Sequence, residues 1–372
     1  MDRVLVYGLK DPVGGVEQVA MEYVRHITAA FDISFDFVCF AEHFSLQSEI
    51  ESLGCRVIYM PSRKKDFFGY KRAMESVFRQ NRYIAVWGNY SGLTNIDLLV
   101  LAKKYGVPVR IAHSHVARLY WDSRIMKYVV HILHRYNKFR LKGYANRFWA
   151  CSRMAGEFMF PPSIYGQISV VKNAVDLKRF YPDAAAGEQM RCQLGIDKKS
   201  LVVGHVARMC EAKNQMFLLQ IMSDILKKVP DAKLLFVGDG EKRAEIEAET
   251  DRLGIRESVI FTGERQDVPQ LLRAMNVFVL PSFSEGLALC AVEAQACGLP
   301  AVVSDRVPAE VNVTGMVTFI SLENSAELWA DSIIKHACME PNGAHQKIID
   351  SGYEILSETK KIYRAFKDEL VL

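Results

Sequence analysis

The sequence predicts an α/β protein made of two doubly wound domains. Three observations carry this. The chain has 372 residues, enough for two domains at roughly 100–200 residues each. Short β-rich runs alternate with stretches of helical period along nearly its whole length. The alternation pauses once, near residues 176–198, where Pro182, the run Ala184-Ala185-Ala186-Gly187 and Gly195 interrupt it, and then resumes. Strand–helix alternation is the pattern of parallel sheets built from βαβ units, so two runs of it make two domains.

In the first run, β-rich segments fall at Val4–Tyr7, Phe35–Phe40, Arg56–Tyr59, Ile84–Trp87, Val109–Ala112 and Phe148–Cys151. Between the first two, Val16, Val19, Ala20, Tyr23, Val24 and Ile27 form one apolar stripe at helical spacing. In the second run, strands are expected at Leu201–Val206, Lys233–Val237, Val259–Phe261, Val277–Leu280 and Ala301–Val303. Helices are expected near 214–228, 241–253 and 287–297. The expected domains are 1–178 and 179–352. A last amphipathic helix within 353–372, carrying Ile355, Ile362, Tyr363 and Phe366, needs an apolar face to dock on.

Half of the residues are hydrophobic and 24% are charged, which excludes disordered, collagen-like and disulfide-scaffold chains. No apolar run approaches the ~20 residues of a membrane span, and residues 1–10 lack a signal-peptide pattern. The eight cysteines include no C-x-x-C pair. Cys39, Cys151, Cys290 and Cys297 sit in apolar stretches and read as reduced core residues. A cytoplasmic location is expected. The net charge of +4 hides an asymmetry: residues 1–180 hold 26 Lys+Arg against 15 Asp+Glu, and the rest hold 21 against 28. The basic half predicts an anionic partner.

Three segments carry candidate chemistry. Gly14-Gly15, in the turn from Gly8 into the first helix, lets backbone approach a ligand near free N–H groups. A phosphate site and a plain strand–helix turn remain open there, and the G-x-G-x-x-G fingerprint is absent. Arg208 and Lys213 directly follow a strand, where loops line the carboxyl edge of an open sheet. Two cations five positions apart can clamp a diphosphate. The third segment runs from Pro281 to Pro300 and contains Ser284, Glu285, Gly286, Leu287 and Glu293. Read as a helix start with a second acid two turns on, its glutamates lie roughly 12 Å apart. That spacing suits an extended ligand with hydroxyl pairs.

These stretches, together with Gly14-Gly15-Val-Glu17, Arg110-Ile-Ala-His113-Ser-His115, Lys172-Asn173-Ala-Val-Asp176, Phe236-Val-Gly238-Asp-Gly240 and Phe261-Thr-Gly263, give a resemblance over nearly the whole chain. The chain resembles a family 4 glycosyltransferase of the bacterial exopolysaccharide or capsule type. The resemblance implies the GT-B fold: two Rossmann-like domains facing a cleft, with the last helix returning to the first domain. It implies that Arg208 and Lys213 hold the diphosphate of a nucleotide sugar. Glu285 would sit by the donor sugar, Glu293 would bind the ribose hydroxyls, and the backbone at Gly286-Leu287 would contact phosphate. Gly14 and Gly15 would close over the donor, Asn173 would join the donor-binding set, and His113 would sit at the cleft against the donor sugar.

Three departures stand out: Ala207 replaces the usual glycine, Ala288 the usual proline after Glu-Gly-Leu, and Trp87-Gly88-Asn89 a stretch that carries a histidine in many relatives.

The implied activity is a retaining, metal-independent transfer of a hexose or N-acetylhexosamine, most simply from a UDP-sugar to a lipid-linked saccharide. No cofactor is expected, and His113-x-His115 lacks a third ligand for a metal. Residues 118–147 interleave cations with aromatics and read as a solvated face or as a peripheral membrane surface at the inner leaflet. Nucleic acid is not expected as a partner. Two rivals share the fold, a phosphorylase and a nucleotide-sugar 2-epimerase. A non-catalytic sugar-binding protein or inactive relative is the alternative from another class.

Overall fold

The computed structural model describes residues 1–11, 13–116, 124–339 and 343–368. The chain forms two compact units, Met1–Ala174 with Ile355–Leu372, and Val175–Glu354. Both are three-layer α/β units built on a parallel sheet.

The first unit holds β1 (Asp2–Tyr7), β2 (Ile33–Cys39), β3 (Arg56–Tyr59), β4 (Ala85–Tyr90), β5 (Val109–Ser114), β6 (Arg147–Ala150) and β7 (Ile168–Val170). They lie in the order β3-β2-β1-β4-β5-β6-β7. Every pairing is parallel. Helices cover such a sheet on both faces, which is why its central strands are near-continuous apolar runs rather than alternating ones. β2 and β4 are buried along their whole length. The winding reverses between β1 and β4, and the carboxyl edge at that reversal is where open α/β sheets place ligands.

The second unit holds β8 (Val202–Val206), β9 (Lys233–Val237), β10 (Val259–Phe261), β11 (Val277–Leu280), β12 (Ala301–Ser304) and β13 (Val317–Ile320), in the order β10-β9-β8-β11-β12-β13. All pairings are again parallel. Its reversal lies between β8 and β11. Leu218, Leu219, Met222, Leu234, Phe236 and Trp329 belong to a core in which the Gln215–Lys228 helix packs on one face of the sheet.

The final helix, Ile355–Phe366, packs in the first unit against the helix Gly15–Ala30. Tyr363 stacks on Phe31 with ring centroids 3.8 Å apart. Phe366 is fully buried among Phe35, Trp87 and Trp149. Burying one such ring contributes on the order of 2 kcal/mol, which accounts for the apolar stripe in its sequence.

Two strands escape the sequence pattern, β7 and β13. Both are sheet edges of only 3 and 4 residues, and a polar residue, Ser169 or Thr318, interrupts each. All eight cysteines are free thiols. Cys39, Cys151 and Cys297 are buried, and Cys290 is half-buried. Among the described residues, no helix is long and apolar enough to cross a membrane.

Candidate functional site

In the second unit, the chemistry-bearing residues follow the two strands that flank the reversal. Arg208 and Lys213 come after β8, and Glu285 and Glu293 come after β11. The β8 loop leaves the sheet at Ala207 and turns through a short 3-10 segment, Glu211–Lys213. Asn214 then adopts φ 56 and starts the next helix. Its side-chain amide donates to the Pro281 carbonyl at 3.1 Å, and Phe283 N donates to the Ala212 carbonyl at 2.9 Å. These bonds stitch the β8 loop to the β11 loop. Below them, the buried Gln215 amide donates to the Arg208 carbonyl at 2.9 Å and faces Nε2 of His205 at 3.2 Å. His205 is buried, and burial lowers its pKa to about 4. Gly238 (φ 127) comes so close that a Cβ there would lie 2.2 Å from the Ala207 carbonyl oxygen. The Phe236-Val-Gly238 motif thus packs directly under the start of the cation loop.

Lys213 Nζ lies 2.5 Å from Oε1 of Glu285. The same oxygen accepts from Ser282 Oγ at 2.6 Å, and Ser304 Oγ donates to the Ser282 carbonyl at 2.6 Å. Side-chain exposure is 21% for Lys213 and 8% for Glu285. Burial disfavours the ammonium, but the Glu285 carboxylate outweighs it, and the Lys213 pKa is raised. The ammonium form of Lys213 is therefore favoured, and it has further donors for an anion. Cys290 lies close by, and burial pushes its thiol up to about 12, so it stays protonated and is a poor nucleophile.

Arg208 takes a different partner. Its guanidinium lies 3.0 Å from Glu241, which follows β9, and both side chains are about half exposed. An exposed pair of this kind is weak and exchangeable. The two glutamates do not share a helix. The helix is Leu289–Ala296 and contains only Glu293, half-buried, whereas Glu285 sits in the turn before it. Ala288 breaks the expected continuity with φ 68. Proline is locked near φ −65°, so the proline expected at this position has no place here. Gly286 is half-buried and Leu287 buried in that turn.

In the first unit, the turn after β1 is braced by Glu17. Its buried carboxylate accepts from Lys10 N and from Gly14 N, both at 2.9 Å. Gly8 (φ 97) lets the turn pass the Asn89 carbonyl, from which a Cβ would be only 2.0 Å away. A Cβ on Gly15 would meet nothing within 4 Å. Asn173, near the end of this unit, is buried, with Oδ1 lacking a partner among the described residues.

His113 is not at the edge of the sheet. With the strand expected to end at Ala112, His113 was the first residue beyond it. β5 continues to Ser114 and draws His113 into the core. It is fully buried against Trp87 and Trp149, its Nδ1 accepting from Trp87 Nε1 at 3.1 Å. Its proton therefore sits on Nε2, which has no partner among the described residues. Burial, and then His115, hold its pKa well below the usual value. His115 is the residue that follows β5, and its Nε2 lies 2.8 Å from Asn89 Oδ1. The sequence reading gave no site role to Glu17, Asn89, His115 or Glu241. Glu17 stood inside the glycine motif, but its partners depend on how the turn folds back.

Of the expected membrane stretch, residues 118–123 lie outside the described residues. The remainder includes the Arg124–Arg140 helix.

Comparison with known proteins places this geometry in a family. The family model for group 1 glycosyl transferases matches residues 187–354. EpsF of Bacillus subtilis (strain 168), a protein named as a glycosyltransferase, is 31% identical over 333 residues, covering 87% of this chain and 85% of EpsF. An Escherichia coli galactosyltransferase named as acting on GlcNAc-diphosphoundecaprenol is 36% identical over 143 residues, 37% of each chain. The Anabaena protein Alr3699/HepE, solved in complex with UDP-glucose, superposes with a TM-score of 0.78 at 18% identity, covering 99% of this chain and 100% of that one. That likeness shows the fold, which is GT-B. With a full-length relative above 30% identity and a group 1 match spanning the unit that carries Arg208, Lys213, Glu285 and Glu293, the chain belongs to the family 4 (group 1) GT-B glycosyltransferases of exopolysaccharide type.

Proposed function

We propose that the protein transfers a hexose or N-acetylhexosamine from a UDP-sugar to a lipid-linked saccharide, with retention of anomeric configuration and without a divalent metal. The observation that carries this reading is the Lys213–Glu285 contact at the β8/β11 reversal, with Arg208 on the same loop as Lys213. Departure of the diphosphate builds negative charge on phosphate and positive charge on the sugar ring. In this reading Lys213 and Arg208 stabilise the first, and Glu285 faces the second. Glu293 accepts hydrogen bonds from the ribose hydroxyls, and backbone N–H groups at Gly286 and Leu287 contact phosphate. Gly14, Gly15 and Asn173, all of the first unit, are the remaining donor-binding candidates, and Glu17 braces the glycine turn through Lys10 N and Gly14 N.

The acceptor attacks from the face that the diphosphate leaves, and the leaving phosphate takes the acceptor proton. The UDP-glucose complex of the Anabaena neighbour supports a UDP-sugar. The diphosphoundecaprenol acceptor named for the E. coli relative supports a lipid-linked one. Lipid-linked acceptors bring such an enzyme to a bilayer surface. The test is a thermal-unfolding screen against UDP-, GDP- and ADP-sugars, followed by nucleoside diphosphate release with undecaprenyl-diphosphate saccharides. Stabilisation by a UDP-sugar and acceptor-dependent UDP release are expected. Stabilisation by none of the donors contradicts the reading.

A further inference from the structure

We propose that Asn89 is a positioning residue that holds His115 as a hydrogen-bond acceptor for a hydroxyl of a sugar substrate. The proposal deepens the transferase reading above and takes only the sugar character of the ligand from it. Trp87 and Asn89 of β4 and His113 of β5 stand at alternate positions on one face of the sheet, and His115 continues the series just past the strand. Two side-chain bonds cross between the strands there. The inner one joins Trp87 Nε1 to His113 Nδ1 at 3.1 Å, and the outer one joins Asn89 Oδ1 to His115 Nε2 at 2.8 Å.

The two bonds leave the two rings with different open atoms. The indole N–H only donates, so His113 turns its lone pair to Trp87 and buries its N–H. Asn89 acts the other way. Its Nδ2 faces the Tyr7 carbonyl at 3.4 Å, and a flipped amide would set two oxygens against each other there. Oδ1 therefore turns to His115 and accepts from its Nε2–H. A proton on Nε2 leaves Nδ1 as a lone pair, and among the described residues no hydrogen bond to Nδ1 is made. The main chain is fixed as well: His115 N donates to the Tyr90 carbonyl at 3.2 Å, and the Gly8 turn presses on the Asn89 carbonyl.

His113 has no exposure, whereas His115 keeps 7%, at the carboxyl edge beside the β1/β4 reversal. Burial lowers the His115 pKa to about 3, so the ring is neutral at ordinary pH. A neutral lone pair repels phosphate oxygens and suits an O–H donor. On the proposed substrates that donor is a sugar hydroxyl. Without Asn89 Oδ1, the Nε2–H loses its partner, and ring orientation and tautomer are no longer fixed.

The first test needs no substrate. Nitrogen NMR of the histidine-labelled full chain, with His115→Gln to assign the signals, should show a single His115 tautomer protonated on Nε2. Asn89→Leu should give a mixture. A wild-type His115 protonated on Nδ1 overturns the proposal. The second test compares affinities for UDP-glucose, UDP-galactose and UDP-N-acetylglucosamine with that for UDP, and the KM for an undecaprenyl-diphosphate saccharide. In His115→Gln the amide still reaches Asn89, but nothing replaces Nδ1. In His115→Asn an oxygen stands near the Nδ1 position. A hydroxyl of the donor predicts ~10-fold weaker UDP-sugar binding by His115→Gln, with UDP binding unchanged. A hydroxyl of the acceptor predicts a ~10-fold higher KM for the saccharide instead. His115→Asn should recover most of either loss, and Asn89→Leu should reproduce part of it. Folded His115→Gln and Asn89→Leu with wild-type values throughout, or with UDP and UDP-sugars weakened equally, overturn the proposal. A wild type that binds no UDP-sugar defeats the transferase reading instead, and the tautomer measurement still decides the role of Asn89.

Discussion

Lys213 and Glu285, 72 positions apart in the chain, meet at 2.5 Å because β8 and β11 are neighbours in the sheet. Breaking this mostly buried pair from one side leaves an uncompensated charge. Lys213→Met and Glu285→Gln are each expected to cost ~2–3 kcal/mol of unfolding free energy. The double variant should cost less than their sum by ~1 kcal/mol or more. Urea unfolding of the four proteins checks this. Strict additivity would mean that the pair contributes no coupling.

The same lysine bears on the chemistry. Lys213→Ala should lower sugar transfer ~10²-fold, as loss of a preorganised charge does elsewhere. The readout is initial-rate UDP release with acceptor present. A near-normal rate would remove Lys213 from leaving-group stabilisation.

Ala288 holds a left-handed backbone that costs an L-residue ~1–2 kcal/mol. Ala288→Gly should therefore raise stability by ~1 kcal/mol, and Ala288→Pro should sharply destabilise the turn. Thermal unfolding distinguishes them. A destabilising glycine would mean that the turn adopts another conformation.

This residue also shows where the sequence stopped being readable. The two sheets followed from apolar runs alternating with helical stripes, since burial on both faces writes itself into composition. The edge strands β7 and β13 did not, although the equally short edges β3 and β10 did: Ser169 and Thr318 interrupt the apolar run in the first two, whereas Val57-Ile58 and Val259-Ile260-Phe261 are unbroken. Glu285 and Glu293 read as one helical face, since a single left-handed residue leaves no mark on an alanine. His113 and His115 were separable only by where β5 ends. Two more residues of strand moved His113 from the edge into the core. The Arg208–Glu241 and Gly14–Glu17 contacts depend on loops folding back, which local pattern does not encode.

Arg208 and Glu241 give a prediction of their own. The pair is exposed, so Glu241→Gln should change stability by less than ~1 kcal/mol. In the proposed reading, a diphosphate displaces Glu241 from Arg208. Removing that carboxylate charge should then tighten UDP binding ~2–5-fold at low salt, and less at high salt. Weaker binding by the variant would mean that Glu241 holds Arg208 in place for the ligand.

Buried histidines predict the pH dependence of stability. Burial lowers His115 to about 3 and His134 and His205 to about 4, and His113 lies well below its usual value. In the unfolded chain each takes up a proton near pH 6.5, whereas the folded chain stays neutral there. Stability is thus full above pH ~6.5 and falls as pH drops toward the folded values, by up to ~1.4 kcal/mol per pH unit for each such histidine. Urea unfolding from pH 7 to pH 5 checks the slope. His134→Gln should flatten it, and an unchanged slope would show that His134 is not held neutral.

The central claim is that an extended anionic donor is held at the β8/β11 reversal, with cations on its diphosphate and Glu293 on its ribose. Calorimetric titration of UDP into the wild type, Lys213→Ala and Glu293→Ala tests it most directly. The account predicts measurable UDP binding by the wild type and ~10-fold or greater weakening in each variant. Wild-type affinity in both variants, or no UDP binding by the wild type, would contradict it.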